Sequence, residues 1–260
     1  MSAIHTKRGS PRRLFVVFVT LLMAIGYTLV TVAPAAGVAA VAGDEASYRT
    51  ALGALSANPN GPHTLELAGD IDLTGSGHPT YSGDQDLTII GNGFTIDANA
   101  AGTSTQRRGL YVTSPEDVTV TLQNVTVREG RGLPGGGVFA VRVEPSATGA
   151  DLVAVDAAFV KNQAIGDGAG ITTSGDVTLL RTTVADNFAS DDNGGVGGYN
   201  ITIVDSTISG NVANDEGGGV FAVGDIELIN STVTDNWAKG SRLGGGGIHA
   251  RGIVTLIGST

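Results

Sequence analysis

The chain has no cysteine at all, which removes disulfides, thiolate metal sites and thiol catalysis from consideration. Charge is also scarce, at 15% of 260 residues, and aromatic residues number 13. Proline occurs 8 times. Sparse aromatics and a Val/Ile/Leu/Ala apolar set make a helical bundle a poor description. What is abundant is glycine, 40 residues, about twice the usual ~7%. No Gly-X-Y period accompanies it, so the chain is not collagen, and the 41% apolar fraction argues against a disordered polymer. The composition fits short strands cut by glycine turns.

Basic residues are fewest where acids are most common. Residues 1–43 hold Lys7, Arg8, Arg12 and Arg13 and no acid, leaving 11 basic against 25 acidic residues in the remainder, net −14. Such a surface repels nucleic acid and anionic lipid, so neither is expected as a partner. The basic start, the uncharged stretch Leu14–Ala33 and the small-residue exit Ala40-Val41-Ala42 read as an export leader spanning residues 1–42, cleaved before Gly43. Arg12-Arg13-Leu14-Phe15 resembles a twin-arginine signal, with Pro11 where Ser or Thr usually stands, so Sec and twin-arginine export both remain open. The expected location is secreted or at the cell envelope. Membrane attachment is expected only through an uncleaved leader or an anchor missing at the C-terminus.

Residues 43–62 read as a capping helix and linker. Tyr48, Leu52 and Leu55 share one helical face over Ala46–Asn58, and Asn58-Pro59-Asn60-Gly61-Pro62 stops it. From His63 onward short strands take over, and a repeat emerges. Asn162, Asn187, Asn211 and Asn236 stand 25, 24 and 25 residues apart. Three positions before each is Phe159, Val184, Ile208 or Val233, and two after each is Ala164, Ala189, Ala213 or Ala238. Ten before are Leu152, Val177, Ile201 and Ile226, and eight before are Ala154, Leu179, Ile203 and Leu228. An earlier, looser copy runs through Val120, Leu122 and Val127. A unit this short cannot bury an apolar face alone, but coiled turns stacked ~4.8 Å apart can. The expectation for residues 63–260 is therefore an all-β parallel β-helix with about 24–25 residues per turn. The recurring Asn is expected to form an amide ladder between turns.

Phe159-Val160-Lys161-Asn162 matches a Phe-x-x-Asn motif, and Val184–Asn187, Ile208–Asn211 and Val233–Asn236 match it with an aliphatic residue first. Gly136-Gly137-Val138, Gly168-Ala169-Gly170-Ile171, Gly218-Gly219-Val220 and Gly246-Gly247-Ile248 approximate Gly-Gly-Ala-Ile. On these motifs the chain resembles the polymorphic outer-membrane protein (Pmp-type) repeat family within the pectate-lyase-like superfamily. The resemblance implies a right-handed parallel β-helix, exposed on or released from a bacterial surface, acting as an adhesin or cleaving polysaccharide. The last copy stops early: Ile253–Thr260 aligns with Asp225–Thr232, one residue short of the next apolar column, which reads as truncation within a turn.

Chemistry has one candidate location. Asp167, then Asp191 with Asp192, then Asp215 with Glu216 recur 24 residues apart before the glycine corner. Stacking would line these carboxylates up as a Ca²⁺-binding row, with solubilising turn acids as the plainer alternative. No other cofactor is expected, and no catalytic residue is assigned, because His5, His63, His78 and His249 do not cluster. An adhesin-like or structural display role, binding glycan or a host or matrix surface, is expected ahead of a Ca²⁺-dependent, pectate-lyase-like polysaccharide lyase or a glycoside hydrolase acting on acidic polysaccharide. Phe188 and Trp237, which share a column with Gln163 and Val212, are expected to be core or half-buried rather than an outward strip for sugars.

Overall fold

A computed structural model describes residues 37–100, 104–142, 149–240 and 244–260. The leader expectation for residues 1–36 lies outside the described residues.

The chain opens with strand Val38–Ala42 and then helix α1, Glu45–Ser56. Asp44 caps the helix: its Oδ1 accepts the Ser47 N–H at 2.8 Å while Ser47 Oγ accepts the Asp44 N–H at 3.1 Å, a reciprocal capping box. The helix thus starts one residue earlier than the periodicity indicates. It ends at Ser56 because Pro59 pushes Asn58 out of helical geometry. Its expected face is buried, with Tyr48, Leu52 and Leu55 at 0–1% exposure, packed against the first turn. No helix among the described residues is long and apolar enough to cross a membrane.

The remainder is a parallel β-solenoid of about eight turns, and the strand pairs among the described residues are parallel. One turn shows the plan. Val177–Leu180 lies in sheet 1, Thr183–Ala185 in sheet 2, Phe188–Ala189 in sheet 3 and Val196–Gly198 in sheet 4. The next turn repeats this from Ile201–Val204 onward. Among the described residues the four sheets hold nine, seven, five and seven strands. The registers are those of the repeat: Leu152 pairs with Val177, Val177 with Ile201 and Ile201 with Ile226.

Alternation within each strand places the columns. Leu152, Ala154, Val177, Leu179, Ile201, Ile203, Ile226 and Leu228 point inward and are buried, and Phe159, Val184 and Ile208 complete the stack from sheet 2. At ~1.5–3 kcal/mol per buried aliphatic side chain, such stacks supply most of the cohesion that no cysteine provides. Between sheets 1 and 2 the chain bends at Asp156, Arg181, Asp205 and Asn230, all with φ between +48° and +53°. Asn and Asp tolerate that left-handed geometry best, and Arg181 is held there by a bidentate pair with Asp156, at 2.6 and 2.8 Å. At the glycine corner, Gly168 has φ +74°, and a Cβ there would lie 1.4 Å from Thr172 Oγ1. Only glycine fits.

Strand Val38–Ala42 pairs residue for residue with His63–Leu67 as the first strand of sheet 1, and Ala42 is buried. These residues fall inside the segment that the sequence assigns to the leader.

Candidate functional site

Side chains that leave the core at the corner after sheet 2 form the region of interest. Each Asn of the repeat sits just before sheet 3 with its amide turned inward, fully or almost fully buried at Asn162, Asn187 and Asn211. Asn162 Nδ2 donates to Asn187 Oδ1 at 3.0 Å, Asn187 Nδ2 to Asn211 Oδ1 at 2.8 Å, and Asn211 Nδ2 to Asn236 Oδ1 at 2.9 Å. Each Oδ1 also accepts the backbone N–H of the Asn one turn below, at 2.9–3.1 Å. Each amide donates its other hydrogen to a carbonyl of the preceding turn, as Asn187 does to Phe159 O at 2.9 Å. Gly130 starts the ladder by donating its N–H to Asn162 Oδ1. Buried amides are thereby satisfied turn after turn.

Sheet 3 is two residues wide. Its inward column is Ala164, Ala189, Ala213 and Ala238, small enough for the tight corner, and the first three are buried. Its outward column is Gln163, Phe188, Val212 and Trp237. Phe188 and Val212 are half-buried, while Trp237 is 60% exposed, so the tryptophan is outside rather than packed inside. The alternation across Ala189 and Ala238 forces this, since the alanines take the inward places. The Lys239 ammonium lies over both rings, 5.3 Å from the centre of Phe188 and 5.5 Å from that of Trp237.

The acidic corner follows directly. Two adjacent rows run along the solenoid. In one, Asp192 donates its N–H to Asp167 Oδ1 at 3.2 Å and Glu216 donates its N–H to Asp192 Oδ1 at 2.8 Å, so these carboxylates tie turns together. In the other, Asp215 stands above Asp191, its N–H donating to Asp191 O. Of the five carboxylates, Asp191, Asp192 and Asp215 are brought together, with one oxygen from each within 4.8 Å of the others. Asp167 lies below them as a ladder acceptor, and Glu216 turns toward His249, Oε2 to Nδ1 3.5 Å. Partial burial raises the Asp192 pKa, helped by the neighbouring Asp167, Asp191 and Glu216 charges and opposed by the Glu216 N–H. An all-oxygen, all-carboxylate donor set suits a hard cation such as Ca²⁺, to which three carboxylates give about half of the 6–8 oxygens it takes. Asp192 Oδ1 already accepts a backbone N–H, which lowers what it can offer.

Of the basic residues near these loops, His249 stands beside Glu216, and two others are engaged elsewhere. The Arg181 guanidinium is committed to Asp156, and the Lys239 ammonium to the two rings. Arg242 lies outside the described residues.

Three features escape the sequence reading. Asp151, Asp176, Asn200 and Asp225 form a second ladder between sheets 4 and 1: each Oδ1 accepts the N–H of the residue one turn on, at 2.8–3.0 Å. Their spacing of 25, 24 and 25 was there to be read. Burial raises the Asp151 pKa, partly offset by the Asp176 N–H. Ser206, Ser231 and Ser259 form a third ladder whose hydroxyls accept from the turn below. On the outer face of sheet 4, Tyr111 and Phe139 stack with centres 5.8 Å apart under the buried Arg108 guanidinium, which donates to Pro134 O and Gly135 O. That arrangement is a clasp for the Pro134 loop.

The chain matches no protein-family model, no curated protein and no solved structure. Its solenoid architecture and the geometry of its outer faces are therefore the basis for a functional reading.

Proposed function

We propose that this chain is an exported cell-surface or extracellular protein of the adhesin type, a right-handed parallel β-helix whose stacked turns display side-chain rows for binding. The export leader and the likeness to Pmp-type repeats support the location. The observation that carries the binding role is the contrast between inside and outside at the corner around sheet 3. Inward residues repeat almost without variation, Asn then Ala, whereas outward residues change from turn to turn and gather exposed Trp237, Phe188 and a carboxylate cluster on one edge. Phe188, Trp237 and the carboxylate cluster share one outer edge of the solenoid and are available there for contact.

The cluster of Asp191, Asp192 and Asp215 supports a second reading, a Ca²⁺-dependent polysaccharide lyase. It is the weaker one, since Arg181 and Lys239 are both engaged away from the carboxylates. The test is incubation of the purified chain with immobilised cell-wall and matrix preparations, with and without Ca²⁺. Saturable retention with no unsaturated oligosaccharide released supports the adhesin reading. Release of such products from polyuronate, abolished by Asp191→Ala with Asp192→Ala, overturns it.

A further inference from the structure

We infer that the export leader ends at Ala35: cleavage falls between Ala35 and Ala36, and the mature chain keeps the strand Val38–Ala42. The inference rests on the export reading proposed above and gives that leader its processing site, seven residues ahead of the cut that the sequence indicates.

A leader peptidase takes small side chains just before the bond it cuts. Three windows offer them: Ala33-Pro34-Ala35, Val38-Ala39-Ala40 and Ala40-Val41-Ala42. The last two lie within a strand that the fold uses. Val38–Ala42 forms the edge of sheet 1 and pairs over its whole length with His63–Leu67. Its side chains alternate: Ala42 is buried at 1% exposure, Val38 and Ala40 pack against the core, and Ala39 and Val41 face out. Ala42 O accepts the Ala68 N–H at 2.8 Å, and α1 packs on the strand. Just upstream, Gly37 lies so close to Pro62 that a Cβ would run into the Pro62 carbonyl. Packing therefore already governs the chain at Gly37, and a cut that spares the fold falls before it.

A cut after Ala40 or Ala42 would disturb more than one strand. It would bare the hydrogen-bonding edge of His63–Leu67, with the apolar Leu65 and Leu67 on it, and remove the support under α1. A cut after Ala42 would also set a new α-ammonium on Gly43, next to the Asp44 cap, where the helix dipole is positive and cations are unfavourable. Ala33-Pro34-Ala35 avoids all of this and stands at the exit of the apolar stretch Leu14–Ala33.

Both export routes favour the same bond. Twin-arginine passage carries a folded chain, in which residues 38–42 are held in the sheet and cannot enter a peptidase cleft. Sec passage threads an unfolded chain, and there the window nearest the apolar stretch lies nearest the membrane face where the peptidase works. The reaction is hydrolysis by the host's membrane-bound leader peptidase. Water adds across the Ala35–Ala36 amide, which becomes a carboxylate on Ala35 and an α-ammonium on Ala36.

The full chain is expressed with its leader in a bacterial host that has both export routes, and the exported product is read by intact mass and N-terminal sequencing. The expected first residue is Ala36, in a chain whose 38–42 amides resist hydrogen exchange. Ala35→Phe should raise the fraction of uncut precursor about tenfold, because the place before the cut takes only small side chains. Any other first residue, Val41 and Gly43 above all, overturns the assignment, as does unchanged processing of Ala35→Phe. A chain that crosses the membrane uncut overturns it too but leaves the export reading standing; a chain kept uncut in the cytosol overturns both.

Discussion

The first turns and the later turns reach the same architecture by different means. In residues 37–142 several side chains make bonds that occur once, beside one rung of the second ladder, where Asp86 Oδ1 accepts the Thr119 N–H at 2.7 Å. The Glu45 carboxylate accepts from Thr74 N, Gly75 N, Thr74 Oγ1 and Arg49 Nε, and the Arg107 guanidinium donates to the carbonyls of Leu73, Thr74, Gly75 and Ala98. His63 Nδ1 meets Tyr81 Oη at 2.8 Å in the core. In residues 149–260 the same needs are met by repetition, through the Asn, Asp/Asn and Ser ladders. A one-off bond secures one junction, whereas a ladder couples each turn to the next.

The difference can be broken most forcefully at Asn187. Replacing it by Ala leaves Asn162 without its acceptor, for both its backbone N–H and its amide, and removes the donor to Phe159 O. Orphaned buried groups cost ~1–3 kcal/mol each. A loss of about 3–5 kcal/mol is expected by denaturant unfolding, more than for Asn236→Ala at the partly exposed end of the row. Next is Arg107→Met, which strands the carbonyls of Leu73 and Ala98. About 2 kcal/mol is expected, read as lost protection in residues 71–98 alone. Smaller still is Asp176→Ala in the exposed second ladder, about 0.5–1.5 kcal/mol.

The smallest effect is on pH dependence. Burial, aided by the Arg108 and Arg49 charges, holds the His78 pKa down at about 4, and its Nδ1 accepts the Arg108 N–H at 3.2 Å. A folded pKa below the ordinary ~6.5 means that this contribution is complete above pH ~6.5 and lost as pH falls toward 4. His78 is partly exposed, so screening keeps the effect below about 1 kcal/mol. His78→Gln should flatten the melting temperature across that window.

This contrast also explains what could be read from the sequence. Period 24–25 was legible because Asn, Ala and the aliphatic columns recur, and a column seen four times fixes register without any knowledge of the contacts. Helix α1 was legible from Tyr48, Leu52 and Leu55. Arg107, Arg108 and Glu45 were not, because a bond made once leaves no pattern. The outward place of Trp237 is hidden in the sequence for a different reason. Its size argued for burial, but the neighbouring Ala238 takes the inward place, and only strand direction decides which of two adjacent residues faces out. In the acidic corner the recurrence of carboxylates was plain, but not their division into two rows, one of which is spent on backbone N–H groups.

Hydrogen exchange of the full chain, wild type against Asn187→Ala, tests most directly whether ladder coupling distinguishes the two regions. Protection is expected to fall across several turns on both sides of residue 187, through strands 158–160 to 232–234, while residues 63–98 keep wild-type protection. Loss confined to the turn of residue 187, or spread evenly over the whole solenoid, would contradict it.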